Sequence, residues 1–307
     1  MAERPMLSVI VPVFNMDKYI GPCVSGILGF HDADMEVIVV DDGSTDGTAA
    51  VLGSIPDARL KVVRERHRGV SAARNTGFRH SRGHVILPFD ADDIPVVENW
   101  YSVIAALLAD PGGVLAYGES REFRNGTDDF PRSVPLGNGR PKGGPVPHIF
   151  KQNFLPVGAA FVRREAIETA GVWNENLEVG EDWDMWCRLA CLGRFVYCPM
   201  LVMGVRVHAQ SATGVPVSGR RPDPGMAAVE AIYSHQSVKL KTGALYRSLK
   251  RKAVAWQTYL WARRLVRSGA YWSGAKAFVR TVVLDPRLFF HACAYPKRRI
   301  RQMTEQG

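Results

Sequence analysis

His84-Val-Ile-Leu-Pro-Phe-Asp-Ala-Asp-Asp93 joins a short apolar run to three carboxylates within four positions. Residues 85–89 carry no charge and read as a strand buried on both faces. Asp90, Asp92 and Asp93 then crowd like charges together, and each is harder to ionise unless a cation sits among them. Hard oxygen ligands at a strand end suit magnesium or manganese, above all when the ion also holds phosphate oxygens. Alone, a D-x-D is more often an acidic turn. Asp93 is expected to cap a helix that begins near Pro95.

Upstream, three more charge-poor runs repeat the pattern: residues 7–13, 35–40 and 60–63. Helices are expected over 17–28, over 47–53 with Ser44 or Thr45 as the cap, and over the small-residue stretch 69–78. Strand–helix alternation at this spacing predicts an α/β fold with a mixed, mainly parallel sheet covered by helices on both faces. Ligands of such sheets bind beyond the carboxyl ends of the strands. Three of the four strands end in polar candidates: Phe14-Asn15, Asp41-Asp42 and Asp90-Asp92. Neither G-x-G-x-x-G after the first strand nor a P-loop is present.

Downstream, the pattern predicts a helix over 96–108 and a strand over 114–117. A Gly/Pro-rich stretch, 125–147, is long enough to be a lid. A strand over 157–162 and a helix over 164–170 come next. The helix over 181–192 places Glu181, Asp182 and Asp184 in its first turn, favourable against the helix dipole. One or two strands over 196–207 end at Arg206-Val-His208, and a basic, Pro-rich linker spans 216–225. From there on the periodicity is helical.

With 46% hydrophobic and 22% charged residues among 307, the composition is that of a folded soluble protein. No apolar run is long enough to cross a bilayer and no signal peptide opens the chain, so the expected location is cytoplasmic. The five cysteines lack a zinc-site spacing and are expected to be reduced. The net charge of +9 is lopsided: residues 1–219 hold 21 Lys+Arg against 26 Asp+Glu, and residues 220–307 hold 18 against 4. Trp256, Tyr259, Trp261, Tyr271 and Trp272 are interleaved with this basic segment. Two readings stay open: an interfacial helix on anionic lipid, or a helical cap packed on the preceding α/β unit with a solvated basic face. No nucleic-acid module accompanies the charge.

Six segments together resemble the family 2 glycosyltransferases, inverting nucleotide-sugar enzymes of the GT-A fold. They are Ser8-Val-Ile-Val-Pro-Val-Phe-Asn15, Val39-Val-Asp-Asp-Gly-Ser-Thr-Asp-Gly47, Arg68-Gly-Val-Ser-Ala-Ala-Arg-Asn-Thr-Gly77, Phe89-Asp-Ala-Asp-Asp93, Gly180-Glu-Asp-Trp-Asp184 and Arg206-Val-His208. The resemblance implies that Pro12, Val13, Asn15 and Asp41 hold the nucleoside, with Arg68 and Arg74 near base and phosphates. Arg74 is alternatively a structural partner of Asp90 or Asp41. Asp90 is assigned to the ribose side, and Asp92 with His208 to the metal, Mn2+ or Mg2+. Asp182 matches the catalytic base, while Glu181 and Trp183 fall on the acceptor side, Trp183 as a platform for a sugar face. Helical spacing places Trp186 in the core. The Q-x-x-R-W signature of processive members is absent. The implied activity is transfer of one or a few sugars, a UDP-sugar being the first donor, to a glycan or lipid-linked acceptor in cell-surface polysaccharide or glycoconjugate synthesis. Residues 1–215 would form the catalytic domain, its nucleotide-sugar half near 1–110 and its acceptor half near 111–215. Residues 216–307 would be a basic helical extension, peripheral on the cytosolic membrane face. The rivals are an inactive relative or membrane scaffold that keeps the fold to bind a nucleotide or glycan, and a nucleotidyltransferase, which would need an early basic, Gly-rich phosphate loop.

Overall fold

A computed structural model describes residues 4–124, 134–135, 141, 144–208 and 223–289. In its first part β1 (Leu7–Val13), β2 (Met35–Asp41), β3 (Leu60–Arg64) and β4 (Val85–Pro88) alternate with α1 (Asp17–Leu28), α2 (Thr48–Gly53) and α3 (Val70–His80). These four strands are mutually parallel. β1 and β4 are buried at every position, as their unbroken apolar runs require. Next come β5 (Ile94–Pro95), α4 (Trp100–Ala109), β6 (Gly113–Arg124), β7 (Val134–Pro135), α5 (Pro145–Ile149) and β8 (Ala160–Arg163), then α6 (Arg164–Ala170), α7 (Glu181–Leu192) and β9 (Arg194–Val207). The sheet runs β3-β2-β1-β4-β8-β6-β9-β5, with β7 beside β6. β8 is antiparallel to both β4 and β6, so pairing turns mixed in the second half.

Several elements differ from the periodicity. Ile94 and Pro95 pair with Gly204 and Met203 as the outermost strand, an edge where proline removes little pairing. A 3-10 turn, Val97–Asn99, then delays the helix to Trp100. Residues 157–159 form another 3-10 turn before β8. β6 and β9 reach twelve and fourteen residues by supporting each other, with register shifts along the pair. Most of the expected lid over 125–147, the linker up to residue 222 and the tail from residue 290 lie outside the described residues.

Trp100 centres the core, its ring 5.7 to 6.1 Å from those of Phe30, Phe89 and Phe161. On α3, Gly77 allows contact with the sheet: a Cβ there would meet Ile10 Cγ2 at 2.3 Å. The four described cysteines are free thiols. Among the described residues no helix is long and apolar enough to cross a membrane.

The chain ends in α8 (Gly225–Ser234), α9 (Gln236–Thr242), α10 (Tyr246–Arg267) and α11 (Tyr271–Leu284). Val229, Ile232, Tyr233 and Val238 belong to the same core as Met185, Trp186 and Leu189 of α7. Tyr233 donates its hydroxyl to the Phe150 carbonyl at 2.5 Å, and His235 Nε2 lies 2.9 Å from buried Asp184. α8 and α9 therefore pack on α7 and the Phe150 backbone, whereas α11 buries only Gly274 and Thr281.

Candidate active site

β1, β2 and β4 run the same way, so their carboxyl ends share one edge of the sheet. Val13 faces Asp41 in register, and the Asp42 N–H donates to the Val13 carbonyl at 2.9 Å. Pro12 lies past Ile10, where the β1–β4 pairing ends, so its missing N–H removes no bond of that ladder. Asn15 takes a left-handed conformation, φ 53°, which its short polar side chain tolerates. Four backbone N–H groups then lace the loops after β1 and β2. Asn15 donates to Ser44 Oγ at 3.0 Å, Thr45 to Asn15 Oδ1 at 2.8 Å, Met16 to Thr48 Oγ1 at 3.1 Å and Asp17 to Asp46 Oδ2 at 3.1 Å. Ser44 and Thr45 are thus engaged with Asn15 and do not cap α2; Asp46 Oδ1 accepts the Thr48 N–H instead. Asp42 Oδ1 and Oδ2 accept the N–H groups of Arg68 and Gly69 before α3. Asp41 Oδ1 accepts from the Ser44 N–H at 2.8 Å, while Oδ2 makes no hydrogen bond and stands 3.4 Å from the Arg64 Nε in an ion pair. The Arg64 charge offsets part of the cost of burying this oxygen, and it keeps room to accept one hydrogen bond from a ligand N–H or hydroxyl.

Arg74, only 2% exposed, spans three elements. Nη1 donates to Glu181 Oε1 at 2.6 Å and Nη2 to Asp90 Oδ1 at 2.8 Å. Burial alone would lower its pKa, but the charges of Asp90 and Glu181 outweigh it and hold the guanidinium protonated. One oxygen of Glu181 is committed to this pair. Arg68 has other partners: its Nη2 donates to Glu65 at 2.9 Å, and Nη1 stands 3.7 Å from Glu175.

The end of β9 closes on the acidic loop. His208 Nε2 and Asp92 Oδ2 are 2.8 Å apart, Arg206 Nε donates to the Asp92 carbonyl at 2.8 Å, and the Arg206 N–H donates to Asp93 Oδ1 at 2.9 Å. Asp93 is therefore an anchor for β9 and caps no helix, because Ile94-Pro95 continues as a strand. The Arg206 guanidinium lies over the rings of Tyr19 and Phe123. Burial and then the Asp90 charge raise Asp92, while burial, Asp90 and Asp92 raise Asp93 well above the carboxylate range. This surplus of negative charge is what a divalent ion relieves. Asp92 and His208 supply an oxygen and an imidazole nitrogen side by side. Among the described residues no group of three His, Cys, Asp or Glu forms a complete protein cage. The donor set fits an ion that takes its remaining ligands from a diphosphate and water.

Asp182 sits in the first turn of α7. Gly180 precedes it at φ 81°, and a Cβ there would meet Ala228 Cβ at 2.7 Å, so only glycine fits. Asn153 Nδ2 donates to Asp182 Oδ2 at 2.8 Å and the Trp183 N–H to Oδ1 at 2.7 Å. Burial, then the Glu181 charge, push this carboxyl up to about 7 against the pull of Arg74. Such a group is matched to accepting a proton near neutral pH. Trp183 is corrected: it is 3% exposed and gives its Nε1–H to the Ile149 carbonyl at 2.6 Å, leaving no face for a sugar. Trp186 is core, as its spacing required. Asn153 and Arg206 escaped sequence reasoning; Asn153 lies just past an aperiodic stretch, and Arg206 was visible only as part of a motif.

Residues 8–170, just over half of the 307-residue chain, match the model of glycosyl transferase family 2. Chondroitin synthase of Escherichia coli is 25% identical over 217 residues, 68% of this chain and 30% of that protein. The chain spans less than half the length of several curated relatives it matches. The mannosyltransferase PcManGT from Pyrobaculum calidifontis, in complex with GDP-Man and Mn2+, has the same fold at TM-score 0.60 and 20% identity, covering 98% of this chain and 84% of that one. S. aureus TarS 1-349 in complex with UDP-GlcNAc gives 0.59 at 17% identity, covering 91% and 81%. The architecture is that of the GT-A glycosyltransferases, and the chain belongs to glycosyl transferase family 2.

Proposed function

We propose that this enzyme transfers a sugar with inversion from a nucleotide-sugar, a UDP-sugar first, to a hydroxyl of a glycan or lipid-linked acceptor. The observation that carries the reading is the Asp90–Arg74–Glu181 bridge, which ties the acidic loop to the first turn of the helix bearing Asp182. Nucleotide-sugar complexes of the fold neighbours TarS and PcManGT support the donor class. In this reading Pro12, Val13 and Asn15 shape the nucleoside end. Asp41 Oδ2 accepts a base N–H or a ribose hydroxyl, Asp90 faces the ribose side, and Arg68 lies toward the phosphates. Asp92 and His208 would hold Mn2+ or Mg2+, which as a Lewis acid offsets charge on the departing nucleoside diphosphate. Glu181 serves as the positioning partner of Arg74, and Asn153 orients Asp182. The Asp182 carboxylate takes the proton of the acceptor hydroxyl while that oxygen bonds to the anomeric carbon; the bond from that carbon to the diphosphate breaks, and its electrons leave with the diphosphate.

Residues 1–215 are the catalytic unit in this reading, and residues 216–307 are an extension docked through α8 and α9. The acceptor is met at the cytosolic face of an anionic membrane. A thermal-shift screen of UDP, GDP, dTDP and CMP with Mn2+ or Mg2+ tests the donor, with selective stabilisation by UDP plus metal expected. Asp182→Asn should cut transfer to about a hundredth or less with the fold intact; undiminished transfer would remove Asp182 as the base.

A further inference from the structure

α10 and α11 form a hairpin turned at Gly269, φ 81°. Gly274 lets them approach: a Cβ there would meet Val266 Cγ2 at 2.6 Å and the Ala262 carbonyl at 3.2 Å. Gly274 and Thr281 mark the buried line of α11. On the other side Trp272, Val279 and Val283 are 75%, 62% and 77% exposed. Positions seven and four apart fall on one helical face, so these side chains form a single apolar stripe. Lys276 lies over the Trp272 ring at 5.6 Å, and Arg280 stands one turn later. Large apolar side chains aligned in water mark a surface that is covered in use.

Charge decides what covers it. α10 and α11 together carry nine Lys and Arg and no Asp or Glu. A second copy seated on this face would press like charges together. An anionic lipid surface does the reverse, placing cations at the headgroups, Trp at the interface and valines just beneath. We infer that α11 is an interfacial helix that seats on anionic lipid through Trp272, Val279 and Val283, with Lys276 and Arg280 reaching the headgroups. The inference rests on the proposed membrane-side acceptor for its purpose; the surface itself is independent of donor and acceptor chemistry.

The test is co-sedimentation of the full chain, without donor or acceptor, with vesicles of phosphatidylcholine alone or with about 30% phosphatidylglycerol. The wild type should pellet with the anionic vesicles and remain in solution with the neutral ones. Replacing Trp272, Val279 and Val283 together by Ser should weaken the partition about tenfold or more at unchanged Tm. Lys276→Gln with Arg280→Gln should weaken it at low salt and little at high salt. No pelleting by the wild type, or equal pelleting by the triple variant, overturns the inference. So does a concentration-dependent dimer that the triple variant abolishes in the absence of vesicle binding. Transfer to a soluble acceptor is read separately: failure there removes the proposed function and leaves the vesicle result standing.

Discussion

Because burial and Glu181 push Asp182 up to about 7, transfer should respond to pH in one direction. Below that point the proposed base already holds a proton, so kcat/KM should fall about tenfold per pH unit and level off above it, in rate profiles on the acid and alkaline sides. Stability runs the other way. The ordinary carboxyl value is 3.8, so the unfolded chain ionises first and the fold loses stability as pH rises from there through about 7. Asp182→Asn should therefore melt higher than the wild type at alkaline pH while retaining about a hundredth or less of transfer. Arg74→Met leaves Glu181 and Asp90 without their shared cation, and urea denaturation should show a loss of about 3 kcal/mol or more. It should also move the acidic limb of the rate profile upward, since Arg74 pulls Asp182 down. At this scale the sequence reveals position better than direction. Asp41, Asp90 and Asp182 could be placed because strand ends and a helix start mark them. Trp183 and Asp93 could not, because packing alone turned one into the core and the other toward β9.

Elements were legible where burial is uniform. The apolar runs of β1, β2 and β4 announce strands covered on both faces, and α6 and α7 begin and end where their periodicity says. β6 was read short because polar residues such as Glu119, Arg121 and Glu122 continue it beyond its apolar core. That length comes from a partner strand far along the chain, which no local pattern carries. The small residues of α3 have a sharper meaning now, since the helix that positions Arg74 lies against Ile10. Gly77→Ala should force that contact apart and destabilise the protein by about 1–3 kcal/mol in denaturant melts.

For the whole molecule, the split in charge was readable but its mechanical meaning was not. α8 and α9 share the core of α7, so a cut after residue 222 strips Val229, Ile232 and Tyr233 from it. Each such side chain is worth about 1.5–3 kcal/mol, and that form should melt about 10 °C or more below the full chain, or fail to fold. A cut after residue 268 removes only α11 and the residues beyond it, and calorimetry should show a smaller drop. The basic tail thus divides into a brace against α7 and a hairpin with a bare face.

Lacing the loops after β1 and β2 into one body means that a nucleoside seated there, as proposed, would meet backbone whose freedom is already gone. Loops that ordered only on contact would surrender roughly 1–2 kcal/mol of conformational entropy per residue. Here folding has absorbed that loss beforehand, through Asn15, Ser44, Asp46 and Thr48. In the proposed complex, recognition at the base end would then be governed by fit and by the rate of encounter more than by induced order.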